Sequence, residues 1–280
     1  MPEHRTVKDA PSSLRLAVVS DIHHGPRTRF AGEVRKLGEL ALPLLDEVVT
    51  ALNDRVRPDL VVHLGDAIED VDRATDLHAY GEVMASLQRL DAPLLHVTGN
   101  HDEVNLGPDD LARLQGPAAL AAPLDRGGFW VLTLAGHATA TRCWCEPDAL
   151  AGLAAQLALA DRPVVLFTHQ SLAEPDLTGN PWFEGYPERC LLEQRAEVRR
   201  LLEQSGKVRA VIGGHLHWSR VQRIAGIPYF TVQSLTENVA APDLPPEAAA
   251  AWALFELGPT TVRCRIAGAQ PETWQLDAAD

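Results

Sequence analysis

Three observations predict a layered α/β fold for this 280-residue chain. Short apolar runs of strand length alternate with stretches of helical period. The runs are apolar on consecutive residues, as in strands covered on both faces. Five runs also end in residues that carry chemistry: Asp21-Ile22-His23, Gly65-Asp66, Gly99-Asn100-His101-Asp102, His169 and Gly214-His215-Leu216-His217. Ligands in α/β folds gather where strand C-termini open. The five clusters are therefore expected to meet at one edge.

Residues 1–13 form a short polar lead-in. Leu14 to Ser20 is the first buried strand, and Gly25-Pro26 marks the loop behind it. Apolar positions at Val34, Leu37, Ala41, Leu45, Val48, Leu52 and Val56 predict a helix over 32–56, kinked or broken at Pro43. Strands are expected at 59–64 and 93–98, with a helix over 73–90 between them. Residues 103–125 read as loop and short helix, punctuated by Gly107-Pro108 and Gly116-Pro117. Strands at 129–134 and 138–144, a helix at 148–160 and a buried strand at 163–168 follow, the last ending in His169.

The stretch 170–190 breaks this rhythm with three prolines, two glycines and the aromatics Trp182, Phe183 and Tyr186. A loop of this length inside a compact domain is more often functional than accidental. A helix over 191–204 and a strand over 207–212 lead into His215 and His217. Hairpins are expected at 218–224 with 227–233 and at 252–257 with 260–266, turning at Gly226 and Gly258-Pro259. Residues 240–250 are a loop. The chain reads as one domain, 1–280.

Composition removes several classes of function. No apolar run reaches the roughly 18–20 residues that span a bilayer, and the polar N-terminus has no secretory apolar segment. A cytoplasmic location and no membrane partner are the expectation. Four scattered cysteines do not make a disulfide framework. Cys143 and Cys145 flank Trp144 as alternate residues of a strand, and a metal site would need further ligands. A formal net charge of −13 disfavours nucleic acid as a partner. An anionic small substrate stays open, because bound divalent cations invert the local sign.

From the residues alone, the candidate metal ligands are Asp21, His23, Asp66, Asn100, His169, His215 and His217. Four imidazoles, two carboxylates and an amide suit Mn, Fe, Zn or Co better than Ca or Mg. Seven ligands exceed one tetrahedral ion but suit two ions sharing a carboxylate. Such a pair can clamp attacking and leaving oxygens in a phosphoryl displacement.

The ordered series, bracketing residues 14–217, resembles the five-motif signature of calcineurin-like metallophosphoesterases. The resemblance implies a four-layer α/β/β/α sandwich of two mixed sheets flanked by helices, with the hairpins of 218–266 completing the second sheet. It implies that Asp21, His23 and His217 bind one metal, Asn100, His169 and His215 the other, and that Asp66 bridges them. The metals would be two divalent or transition ions, Mn, Fe or Zn, and a metal-bridged hydroxide would attack phosphorus in line. His101 matches the family's non-ligand histidine, which assists the leaving group. The family position for the carboxylate that orients it falls on Glu69, with Asp70 and Asp102 as further choices. Gln170 follows His169 where several relatives carry a second histidine or a proline.

The expected function is hydrolysis of a small soluble phosphoester, nucleotide-derived or otherwise, with a phosphodiester as first choice. The alternatives are a phosphomonoesterase with the same site, a nuclease, and a binding module that keeps the fold without catalysis. Trp182, Phe183 and Tyr186 would either wall the substrate or anchor their own loop. His24, Arg27 and Arg29 read as solvated loop residues, and His63 and His96 as packed strand histidines. His137 sits in a strand region with a weak claim to support the site.

Overall fold

A computed structural model describes residues 13–117, 119–241 and 243–277. The polar lead-in expected at 1–13 lies outside them except for Ser13. The elements in chain order open with β1 (Leu14–Val19), β2 (Arg27–Phe30), β3 (Glu33–Leu37), α1 (Ala41–Ala51) and β4 (Leu60–His63). Next come α2 (Arg73–Leu87), β5 (Leu94–His96), α3 (Pro108–Gln115), β6 (Leu124–Arg126) and β7 (Phe129–Leu134). The middle of the chain gives β8 (His137–Thr139), β9 (Arg142–Trp144), α4 (Pro147–Leu159), β10 (Val164–Thr168) and α5 (Arg195–Ser205). It closes with β11 (Val208–Gly213), β12 (Arg220–Ile224), β13 (Ile227–Thr231), β14 (Trp252–Leu257), β15 (Thr261–Ala267) and β16 (Glu272–Asp277).

Two mixed sheets result. One has the order β16-β15-β14-β1-β4-β5, the other β12-β13-β11-β10-β7-β6. Within the first, β1, β4 and β5 run parallel. Within the second, β7, β10, β11 and β13 do. Strand alternation then sorts the side chains into layers. Leu16 and Val18 of β1 meet Phe167, Ile212 and Phe230 of the other sheet in a core between the sheets. Ala17 and Val19 point the other way, onto Leu45 and Val48 of α1 and Tyr80, Val83 and Met84 of α2. On the far side, Leu132, Leu166 and Val211 pack under Leu153 and Leu157 of α4 and Val198 and Leu202 of α5. The order of layers is α/β/β/α, as expected.

Five local expectations differ from the structure. The predicted helix over 32–56 starts only at Ala41, because Arg27–Leu37 folds as a β-hairpin. Its turn places Ala31 at φ 51° and Gly32 at φ 86°, the paired left-handed conformation that matches the strands' twist. Pro43 causes no kink: it is the third residue of α1, where a backbone N–H would have no intrahelical acceptor. The strand expected at 138–144 is the two-stranded hairpin β8–β9. Helix α5 begins at Arg195 rather than 191, since Leu191 forms a bridge with Ser171 that holds it extended. The hairpins of 218–266 also divide: β12–β13 joins the second sheet, whereas β14–β15 joins the first, with β14 antiparallel to β1 and β16 added at the edge.

Candidate metal centre

The parallel strands β1, β4, β5, β10 and β11 all deliver their C-terminal ends to one edge of the sandwich. Three groups of potential ligand atoms form there, one of them His23 with Glu69 and His101 at the rim, and the other two buried. Asp21, His23 and His217 make one buried group, and Asp66, His169 and His215 the other. The Oδ2 atom of Asp66 lies 3.2 Å from His169 Nε2 and 3.7 Å from His23 Nε2, so one carboxylate faces both buried groups. Asn100 completes the seven: its Oδ1 is buried without a hydrogen-bond partner among the described residues. An orphaned acceptor is costly unless a donor or a cation meets it.

The four imidazoles carry the strongest local signal. Each has one ring nitrogen committed to an acceptor on the outside. His23 Nδ1 donates to Glu69 at 3.0 Å, His169 Nδ1 to the Leu64 carbonyl at 2.7 Å, His215 Nε2 to the Arg189 carbonyl at 3.0 Å, and His217 Nδ1 to Glu237 at 2.6 Å. In the neutral tautomer the inner nitrogens are then bare acceptors. They face each other in pairs, His23 Nε2 to His217 Nε2 at 3.1 Å and His215 Nδ1 to His169 Nε2 at 3.2 Å. Two lone pairs at that distance repel unless a proton or a metal cation lies between them. The residues present fit a pair of metal ions.

Backbone strain marks the same positions. Asp21, His23, Asp66, His215 and His217 all have φ between 48° and 66°. A non-glycine residue there costs on the order of 1–3 kcal/mol, and such residues cluster at functional sites. Neighbouring glycines admit the crowding. A Cβ on Gly99 would collide with the Asp66 backbone and carboxylate, and one on Gly214 with Ser20 Oγ and Asp21. Asp21 in turn accepts from Ser20 Oγ and from the His215 backbone N–H at 3.1 Å.

Burial sets the electrostatics. It works to raise both Asp21 and Asp66, yet hydrogen bonding and charge from His217 on the one, and chiefly His169 on the other, hold both well below the usual carboxylate range. Burial likewise pulls the imidazoles down. Asp66 overrides it for His169, raised to about 10, and Asp21 with Glu237 for His217, raised to about 9. For His23 and His215 burial wins, aided by the positive charges of Lys36 and His169 respectively, and they fall to about 3 and about 4.

His101 stands at the rim of this centre, edge-on to His23 with ring centroids 4.7 Å apart. Its backbone N–H donates to Asp66 Oδ1 at 2.9 Å. The carboxylate that accepts from its Nδ1 is Asp70. This corrects the expectation for Glu69, which instead accepts from His23 and from the Lys36 ammonium. Asp102 is ruled out for a different reason: fully buried, it accepts from the backbone N–H groups of Asp66, Ala67 and Gly99 and ties two ligand loops together. Burial pulls His101 down, but Asp66 and Asp70 more than compensate and raise it.

Two residues here gave no signal in the sequence. Lys36 is buried on β3, where helical periodicity hid it, with Nζ 3.3 Å from His23 Nδ1 and 5.1 Å from the Trp182 ring centroid. Glu237 follows β13 in a loop with no motif; beyond His217 it accepts from Trp182 Nε1 at 3.1 Å. A cleft of about 410 Å³ opens over the centre, and the 170–190 stretch forms one wall of it. Trp182 packs against His217 and Phe183 against His215, with ring centroids 5.6 and 5.0 Å apart.

The remaining sequence candidates stand away from the cleft. His24 pairs with Glu82 at 3.0 Å, His137 with Glu103 at 2.7 Å, and Arg27 with Glu39. Arg29 donates to the Gly32 carbonyl. The four cysteines are buried free thiols, outside the clustered ligand groups found among the described residues. No helix among the described residues is long and apolar enough to cross a membrane.

Comparison with known proteins places the chain in a family. The profile of the calcineurin-like phosphoesterase family matches residues 14–219. A probable cyclic nucleotide phosphodiesterase of Pseudoalteromonas is 26% identical over 211 residues, covering 74% of this chain and 72% of that protein. Among solved structures, a dimetal phosphatase from Danio rerio superposes with a TM-score of 0.73 at 18% identity, over 96% of this chain and all of that one. The phosphopantetheinyl hydrolase of Mycobacterium tuberculosis gives 0.51 at 14% identity, over 85% of this chain and all of its own. Family profile and strand-end ligand geometry converge: this chain belongs to the calcineurin-like phosphoesterases and is a metal-dependent phosphoester hydrolase.

Proposed function

We propose that the chain hydrolyses a small phosphodiester. The observation that carries the reading is the pair of facing, outward-anchored imidazole couples with Asp66 between them. Asp21, His23 and His217 would hold one ion, Asn100, His169 and His215 the other, and Asp66 both. The mixed nitrogen and oxygen donors suit Mn, Fe or Zn. When bound, such a pair supplies an activated water and neutralises charge on phosphoryl oxygens.

The chain's own residues do the rest. Glu69, Glu237 and the carbonyls of Leu64 and Arg189 fix the tautomers, so the inner nitrogens stay available as donors to metal. Asp70 holds His101 by Nδ1, which leaves Nε2 to carry a proton toward the cleft. As the new P–O bond forms and the ester P–O bond breaks, that proton passes to the departing alkoxide. Diester and monoester alike release a poor alkoxide, so this acid serves either. The preference for a diester rests on the relatives, among them the probable cyclic nucleotide phosphodiesterase.

The test is turnover of bis-p-nitrophenyl phosphate by protein supplemented with Mn, alongside metal analysis. Bound metal with hydrolysis of the diester ahead of p-nitrophenyl phosphate supports the reading. Preference for the monoester would make the chain a phosphatase, and metal without any turnover would make it a binding module.

A further inference from the structure

The cleft is lined by three carboxylates, Asp66, Glu69 and Asp70, and by two basic side chains, Lys36 and Arg189. The two cations differ in what they already hold. Lys36 is buried against Glu69 and is neutralised by it. Arg189 has no carboxylate partner among the described residues, and its Nε is buried without an acceptor. The contact that steadies its guanidinium is the face of Tyr186, 4.0 Å from the ring centroid. A buried donor of a charged group left unpaired is costly, and a chain of net charge −13 offers many carboxylates that could have met it.

Position distinguishes Arg189 from the metal centre as well. It ends the short turn Pro187–Arg189, and its carbonyl accepts from Nε2 of His215, the ring nitrogen opposite the one that faces His169. Its backbone is thereby anchored behind the ring of ligands, while its side chain lines the cleft. We propose that Arg189 binds a second phosphoryl group of the substrate, beyond the phosphorus that is cleaved. Its planar fork of N–H donors matches two oxygens of such a group. This inference rests on the phosphodiesterase reading and narrows it: the substrate carries at least two phosphorus atoms. The second phosphoryl is either bonded to the first as a diphosphate or set across a sugar from it.

Three probes with Mn-loaded full-length protein separate these cases. The p-nitrophenyl ester of thymidine 5′-phosphate has one phosphorus, its 3′-phosphorylated counterpart has a distal second one, and P1,P2-dithymidine diphosphate has an adjacent one. Wild type is expected to show a kcat/KM at least tenfold higher on one of the two-phosphorus probes than on the first. Arg189→Gln keeps the backbone carbonyl that orients His215, so metal content serves as its folding control. In this variant the advantage should collapse by about ten- to hundredfold, through KM, with partial recovery in Arg189→Lys. Whichever two-phosphorus probe shows the effect identifies the arrangement. Absence of any advantage in wild type, or an advantage that survives Arg189→Gln, overturns the inference while leaving the phosphodiesterase reading intact. If none of the probes is cleaved, that reading fails, and binding of thymidine 3′,5′-bisphosphate decides the inference: affinity must fall tenfold or more in Arg189→Gln, and equal affinity overturns it.

Discussion

Glu69 and Asp70 are adjacent in sequence and serve different histidines. Glu69 turns toward His23 and Lys36, and Asp70 toward His101. Motif spacing brought both to the site but could not choose between them, because that choice depends on backbone dihedrals in a loop, where neighbours project to opposite sides. The seven candidate ligands were legible because each terminates a recognisable strand. Glu237 and Lys36 were not, since neither belongs to a motif. The different partners predict different phenotypes. His101→Ala should retain both metals and lose roughly 10²–10⁴-fold in kcat on esters with poor leaving groups, with Asp70→Asn losing less in the same direction. Full activity in His101→Ala would refute its role as acid. Glu69→Gln should instead weaken apparent metal affinity, by about 10–100-fold, and a variant titrating with Mn like wild type would show that the Glu69–His23 contact is idle.

Elements were read well where their pattern is local and badly where a turn decides. The apolar positions from Val34 to Val56 fit a helical period, yet the left-handed pair Ala31 and Gly32 folds the first part into the β2–β3 hairpin. That hairpin is what carries Lys36 to the metal centre. The remaining helix, α1, presents Leu45, fully buried, to Val19 and Val61 behind the first two ligand-bearing strands. Leu45→Ala should cost about 2–5 kcal/mol, seen as a lower denaturation midpoint, without changing metal content. An unchanged midpoint would mean that α1 does not pack as described.

At the scale of the molecule, the pairing of distant segments was beyond sequence reading. Nothing in β14 announces that it joins β1, more than 230 residues earlier, rather than the sheet of the preceding hairpin. Burial of histidines within strands also shapes acid stability. His63 on β4 and His96 on β5 pack with ring centroids 5.6 Å apart, and burial pushes them down to about 3 and about 4 from an ordinary 6.5. Between those values and 6.5 the unfolded chain binds protons that the folded chain refuses. Their contribution to stability is therefore intact above pH 6.5 and falls as the pH drops toward 3, by up to ~1.4 kcal/mol per pH unit for each group. Chemical denaturation of wild type and His63→Gln at pH 7.5, 6 and 5 should show a steeper loss for wild type, and parallel curves would contradict this.

In the proposed arrangement two ions share this edge of the sandwich through Asp66. Equilibrium metal analysis of the purified chain after Mn or Zn loading, with Asp66→Asn beside it, is the decisive measurement. Two ions per chain in wild type, falling to one or fewer in the variant, is the predicted result. One ion or none in wild type, or two retained by Asp66→Asn, would contradict it.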